Sequence, residues 1–342
     1  MSRSPLRLIL QALSLSLLAW LAFKVLNWAI FNAVFEANAT ACQALAHQGA
    51  CWGVVPEKIR PILLGHYPYE SQWRPISVLA SIAVLCLLAW LAGWRRMGSN
   101  WFWLLLLATL SLDTVLMSGG VWGLSHVPID NWGGLPLTFW LFGISLLGSI
   151  PLAMALALAR RSKHVLVSAP ATMLIETIRG VPLVTILFMA AFIVPMLLPP
   201  DSQVGLVWRA ALALTCFSAV YMAEVIRAGL QTIPAEQSEA AAVLGLTWWQ
   251  TQRQIVLPQA LRAVLPTLVG HAIGLLKDSS LVLVIGLHEL TGGLSLSLGG
   301  DPIWRPFYLE AYMFVGAIYM TMCLGLSRAG RSLEQRWTKA SA

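Results

Sequence analysis

The chain has 342 residues, 58% of them hydrophobic and only 11% charged, with a mean hydropathy of +0.73. Soluble domains carry about a quarter charged residues to cover their surface. This composition therefore excludes an ordinary soluble protein and points to an all-α polytopic membrane protein. The net charge of +7 calls for no nucleic-acid partner, because Lys and Arg collect in the cytoplasmic loops of membrane proteins.

Apolar runs long enough to cross about 30 Å of hydrocarbon predict about eight transmembrane helices. They lie at residues 8–31, 76–93, 101–117, 137–159, within 165–198, 207–230, 261–286 and 312–327. The first run begins behind Arg3 and Arg7 and is too long for the apolar core of a signal peptide, so it is read as an uncleaved helix. With the N-terminus inside, most of the 22 Lys and Arg fall on the cytoplasmic side: Arg95 and Arg96, then Arg160, Arg161 and Lys163, then Arg227, Arg253 and Arg262, and finally Arg328, Arg331, Arg336 and Lys339. Lys58, Arg60, Arg74, Arg209 and Arg305 fall outside. This asymmetry predicts an N-in, C-in topology.

The longest polar loop, residues 36–75, then faces outward and holds Cys42 and Cys51. These either form a disulfide in an oxidising compartment or remain free thiols. Cys86, Cys216 and Cys323 sit in apolar runs as packing residues, and no cysteine spacing suggests zinc. Trp101, Trp103, Trp132, Trp208 and Trp304 fall near predicted span ends, where amphipathic rings settle at the membrane interface. Lys24 is expected to snorkel from the first span, and Asp113 to pair locally in the third. A change of composition near residue 119 divides the chain. A three-helix N-terminal extension (1–132) precedes a five-helix core (133–330) rich in Pro, Gly and embedded charge, followed by a short tail (331–342).

The segment between the sixth and seventh spans, residues 224–262, has legible local physics. Pro234 suits the first turn of a helix, and Glu236 and Glu239 lie near the positive end of its dipole. Gly245 is placed to end that helix. Thr247 and Gln250 form a capping box for a second short helix, which carries Trp248, Trp249, Ile255 and Val256 and is followed by Pro258. Such an element is too small to have its own core, so it packs on span ends or on a partner.

Glu239-Ala240-Ala241, three residues, Gly245, nine residues, Ile255, one residue, Leu257-Pro258 resembles the EAA loop of ABC-importer permeases. Residues 135–140, 176–183 and 276–286 resemble the polar amino-acid branch of that family. Residues 67–75 resemble the larger permease subunit of general L-amino-acid transporters. The resemblance implies a multi-pass, type I importer subunit of the bacterial inner membrane. Such a subunit pairs with a second, non-identical permease. Two ATPase subunits dock on loop 232–258 through Glu239, Ala240, Ala241, Gly245, Ile255, Leu257 and Pro258, and a periplasmic amino-acid-binding protein delivers substrate. The chain has no phosphate-binding loop. It is expected to be no enzyme and to bind no cofactor itself, with ATP and Mg on the partner ATPases.

Charges within a bilayer are costly and are functional or paired. Glu176, Arg179, Lys277 and Asp278, with Ser279 and Ser280, form the candidate substrate pathway. Arg179 or Lys277 could meet an amino-acid carboxylate, and Glu176 or Asp278 its ammonium. The alternative is that these charges pair with one another. No residue set suggests a catalytic centre or metal site; His271 reads as a packed residue, and His288-Glu289 is too isolated for a metalloenzyme. The rival reading is an ion-gradient-driven secondary amino-acid carrier, which also places charge in broken helices but has no use for an EAA loop.

Overall fold

A computed structural model gives the fold and describes residues 5–45, 48–91, 99–199 and 204–339. Arg3, Arg95 and Arg96, and the side chains of Trp101 and Trp103, lie outside the described set. The described residues are helical, with no strand among them and only two isolated bridges, Val34 with Cys51 and Gly134 with Glu289. In chain order the helices are α1 (Pro5–Leu26), α2 (Ala39–Ala44), α3 (Val54–Leu64), α4 (Trp73–Leu91), α5 (Ser99–Ser118), α6 (Gly134–Arg160), α7 (Val165–Arg179), α8 (Leu183–Phe188) and α9 (Val194–Leu197). They continue with α10 (Leu206–Gln231), α11 (Ala235–Val243), α12 (Trp248–Thr251), α13 (Leu257–Asp278), α14 (Leu290–Gly299) and α15 (Tyr308–Lys339).

Among the described residues, six helical stretches are long and apolar enough to span a membrane: Ile9–Phe31, Tyr69–Leu88, Gly134–Arg160, Leu206–Gln231, Trp248–Ile285 and Arg305–Gln335. The fifth expected run is a bent pair, Val165–Arg179 and Leu183–Leu197, meeting at 105°. The third is a shorter apolar helix over Leu104–Ser118. The second loop helix, expected to be short with Pro258 after it, instead runs on into the next span. A π-helical segment, Gln252–Val256, joins α12 to α13, and Pro258 occupies the first turn of α13, where its missing N–H is not required. The seventh run therefore begins at Trp248.

Two compact units are present. One comprises the described residues up to Pro61 together with Leu294–Ala317. In it Cys42 and Cys51 are joined by a disulfide, which resolves the choice the sequence left open. The backbone N–H of Cys51 donates to the buried Glu310 carboxylate at 3.0 Å. Lys58 meets Asp301 at 2.6 Å, and this hydrogen bond holds the Asp301 carboxyl below its usual range.

The second unit comprises Ile62–Gly293 and the chain from Ile318 onward. Its centre is the packing of α6 against α10, with Leu137, Leu141, Leu214 and Ile226 almost fully buried. Between membrane helices lipid is as apolar as leucine, so small residues and interhelical hydrogen bonds supply the attraction. That logic is visible here. Ser145 donates to the carbonyl of Ala211 at 3.2 Å. A Cβ on Gly148 would stand 2.8 Å from the Thr215 methyl, and one on Gly229 would stand 2.7 Å from the Ala260 carbonyl of α13. Asp113 pairs locally, as expected, accepting from Ser81 at 2.9 Å, and Lys24 lies over the Trp20 ring. The interfacial belt needs correction: Trp132 and Trp304 are buried, at 3% and 5% exposure, whereas Trp208 is 43% exposed. The Trp132 ring packs edge-on against Trp140, so packing within its unit outweighs an interfacial position.

Candidate functional site

The loop that joins α10 to α13 is built by local capping. Pro234, extended at φ −60°, opens α11. At its other end Gly245 adopts φ +76°. The Gly245 N–H donates to Ala242 and the Leu246 N–H to Ala241, at 3.0 and 3.1 Å. This pair of bonds is a Schellman stop, which needs a left-handed residue at Gly245. The capping box follows as expected, with the Thr247 side chain accepting from the Gln250 N–H and the Gln250 side chain accepting from the Thr247 N–H. Gln237 of α11 exchanges hydrogen bonds with Gln259 of α13, at 3.2 and 2.6 Å, and Ala241 is buried at 1%. The loop is therefore a rigid appendage of α13.

The expected coupling residues divide by burial. Ala241 faces inward, Ile255, Leu257 and Pro258 are half-buried, and Glu239, Ala240 and Gly245 are exposed. Beside them the apolar residues of the two loop helices, legible in the sequence, turn out to face outward rather than into the bundle. Val243 is 88% exposed, Leu244 79%, Trp248 55% and Trp249 68%. Contiguous exposed apolar groups on an ordered element mark an interaction surface.

Immediately before the loop stands a charge cluster centred on Glu224 of α10. Arg160 reaches it at 2.7 Å, Arg227 at 3.0 Å and Arg179 at 3.5 Å. Arg160 also binds Glu176 at 2.6 Å. The C-terminal ends of α6, α7 and α10 are thus tied through one carboxylate. Glu176 and Arg179 of the expected pathway belong to this cluster. Arg179 holds the longest contact and also lies 5.7 Å over the Tyr221 ring. Reading the sequence identified neither Glu224 nor Arg160 as members. The spacing of Glu224 and Arg227, three residues apart on one helix face, was the available signal.

Lys277 and Asp278 stand elsewhere, at the end of α13, where it tightens into a 3₁₀ segment, Ser279–Ile285, ended by Gly286 at φ +88°. Lys277 is exposed and Asp278 half-buried. Ser279 is fully buried and donates to Leu276, and Ser280 donates to Lys277, both at 2.7 Å. These hydroxyls satisfy carbonyls freed by the helix end. The Tyr221 ring lies 6.2 Å from His271, and His271 precedes Asp278 by two helical turns on the same face of α13. Arg179, Tyr221, His271 and Asp278 thus mark a polar line along an otherwise apolar bundle.

A second buried group escaped the sequence reading. Glu289 is fully buried and caps α14, accepting from the N–H groups of Thr291 and Gly292, each at 3.0 Å. Tyr319 donates to it at 2.8 Å, and Thr138 of α6 lies 3.4 Å away. Burial pushes the carboxyl above its usual range, and the hydrogen bonds from Thr291 and Tyr319 oppose that rise.

Residues 149–339 match the family described as binding-protein-dependent transport system inner membrane component. The inner membrane amino-acid ABC transporter permease protein YhdY of Escherichia coli is 34% identical, over 93% of this chain and 87% of its own. The glutamate/glutamine/aspartate/asparagine transport system permease protein BztC of Rhodobacter capsulatus is 32% identical, over 97% and 91%. A crystal structure described as an amino acid ABC transporter with histidines superposes with a TM-score of 0.52 at 30% identity, covering 59% of this chain and 92% of that one. With its membrane spans and these relatives, the chain belongs to the binding-protein-dependent transport system inner membrane components, the permeases of ABC transporters.

Proposed function

We propose that this chain is one permease subunit of an ATP-driven amino-acid importer, and that loop 232–258 is where an ATPase subunit attaches. The observation that carries this is the capped, rigid EAA loop presenting Glu239 beside exposed Val243 and Leu244. A motor that moves this loop moves α13 with it through the Gln237–Gln259 pair, and α10, continuous with the loop, draws on α6 and α7 through the Glu224 cluster. The partners are a second, non-identical permease, two ATPases carrying ATP and Mg, and an outer amino-acid-binding protein. The disulfide supports an outward-facing 36–75 loop, since such bonds persist in oxidising compartments. The amino-acid class follows from the relatives, which are amino-acid transport permeases.

For the substrate we propose the polar line. At its α13 end Lys277, next to Asp278 in the chain, meets the carboxylate and Asp278 meets the ammonium, while Arg179 stays with the Glu224 cluster at the other end. Glu176 acts with Arg160 in holding the site's helices. The whole assembly reconstituted in proteoliposomes tests this reading. Uptake of a labelled amino acid should require ATP and the binding protein; uptake driven by an ion gradient without ATP identifies a secondary carrier instead. In the same assembly Lys277→Met should lower substrate-stimulated ATP hydrolysis roughly tenfold, the loss of one charge-assisted contact. Unchanged stimulation removes Lys277 from the pathway.

A further inference from the structure

The link between α6 and α7, residues 161–164, joins two membrane-spanning segments and so lies at a bilayer surface. It forms one wall of a cavity of about 950 Å³ whose other wall is the loop from α11 to α12. Arg161, Lys163 and His164 line the first wall, and Trp248 and Trp249 the second. No carboxylate lines it among the described residues. Arg161 is held in place by donating to the Leu230 carbonyl at 3.0 Å, while Lys163 and His164 are exposed. Ser162, Ser238 and Thr251 also line it.

This lining suits a phosphate carried on a larger, partly apolar molecule. The volume is at the upper end of small-molecule sites, far more than a free phosphate fills. The indole pair has the amphipathic character of residues that settle at headgroup depth. The first turn of α7, which opens beside the cavity, exposes Val165 at 72% and Leu166 at 92%, and Met173 further along is 74% exposed. Val165 and Leu166 directly follow the basic wall in the chain, and Val167 of the same turn lines the cavity, as acyl chains follow a headgroup. Basic pockets between helices at a membrane surface recognise anionic headgroups.

We propose that this cavity is a binding site for an anionic phospholipid, its headgroup phosphate on Arg161, Lys163 and His164 and its chains against the start of α7. A bound lipid would brace the α11–α12 loop against the α6–α7 link. The coupling loop would then respond to the charge of the surrounding leaflet.

Native mass spectrometry of the full-length chain in detergent, titrated separately with phosphatidylglycerol and phosphatidylcholine, tests the site. The wild-type chain should retain phosphatidylglycerol in preference. Each cation removed should weaken retention roughly fivefold, so Arg161→Gln with Lys163→Gln should lower it roughly twentyfold or more. Arg253→Gln, an exposed basic change that does not line the cavity, should leave retention unchanged. Equal retention of the two lipids, or equal retention by the double variant, overturns the proposal. Displacement of the lipid by millimolar inorganic phosphate overturns the lipid as its source. A double variant that keeps phosphatidylglycerol but no longer captures the ATPase assigns the cavity to a protein contact instead.

Discussion

Replacing Glu289 with alanine is expected to destabilise the protein by about 3 kcal/mol or more. The carboxylate satisfies the N–H groups of Thr291 and Gly292 at the first turn of α14 and the hydroxyl of Tyr319 on α15, at 3.0, 3.0 and 2.8 Å. All three lose their acceptor together, around a side chain that is itself fully buried. Each buried polar group left without a partner costs about 1–3 kcal/mol. Glu289→Gln keeps an acceptor oxygen and should lose less than half as much. Thermal unfolding in detergent compares the two variants, and an alanine variant that melts with the wild type would refute the role given to this carboxylate.

Gly245→Val is expected to abolish coupled transport while leaving the membrane helices folded. Nothing lies within 4 Å of a Cβ built at Gly245, yet its φ is +76°. Space is therefore not the obstacle; the backbone conformation is. A β-branched residue is a strong outlier in the left-handed region, and even an ordinary L-residue pays about 1–2 kcal/mol there. The Schellman stop would open, and Val243, Leu244 and the capping box behind them would lose their fixed relation to α13. Asparagine tolerates this region best among non-glycine residues, so Gly245→Asn should retain most of the transport that Gly245→Val loses. Measuring uptake together with ATP hydrolysis in the reconstituted assembly separates the two. Equal uptake by the valine variant and the wild type would show that the loop's conformation does not matter.

Features with short-range causes were legible in the sequence. The apolar runs, the stop at Gly245 and the capping box at Thr247 each depend on residues within a few positions; the structure reproduces the stop and the capping box, and six of the eight runs as helices long enough to span, with the fifth bent and the third short. The second loop helix was expected to be short, with Pro258 after it, but a proline breaks a helix only where its N–H is needed. After the π segment at Gln252–Val256 it stands in a first turn, and the helix runs on. The groups that were missed depend on distance along the chain. Glu224 gathers Arg160 from 64 positions away, and Glu289 meets Thr138 from 151 away. No local pattern announces such pairings. Trp132 and Trp304 failed for a similar reason: a place near a span end suggests an interface, but tertiary packing decides burial. The candidate pathway was half legible. The embedded charges were recognisable as unusual, whereas the sequence held no sign that Glu176 and Arg179 share one cluster with Glu224 and that Lys277 and Asp278 lie apart from it.

Capture of the ATPase subunit by the purified permease assembly tests the central claim most directly. Val243 and Leu244 are 88% and 79% exposed, so changing both to aspartate should leave the melting temperature nearly unchanged, as surface substitutions do. If the EAA loop is the motor's attachment point, Val243→Asp with Leu244→Asp should eliminate ATPase capture and ATP-dependent amino-acid uptake together. Undiminished capture by a folded double variant would contradict the account.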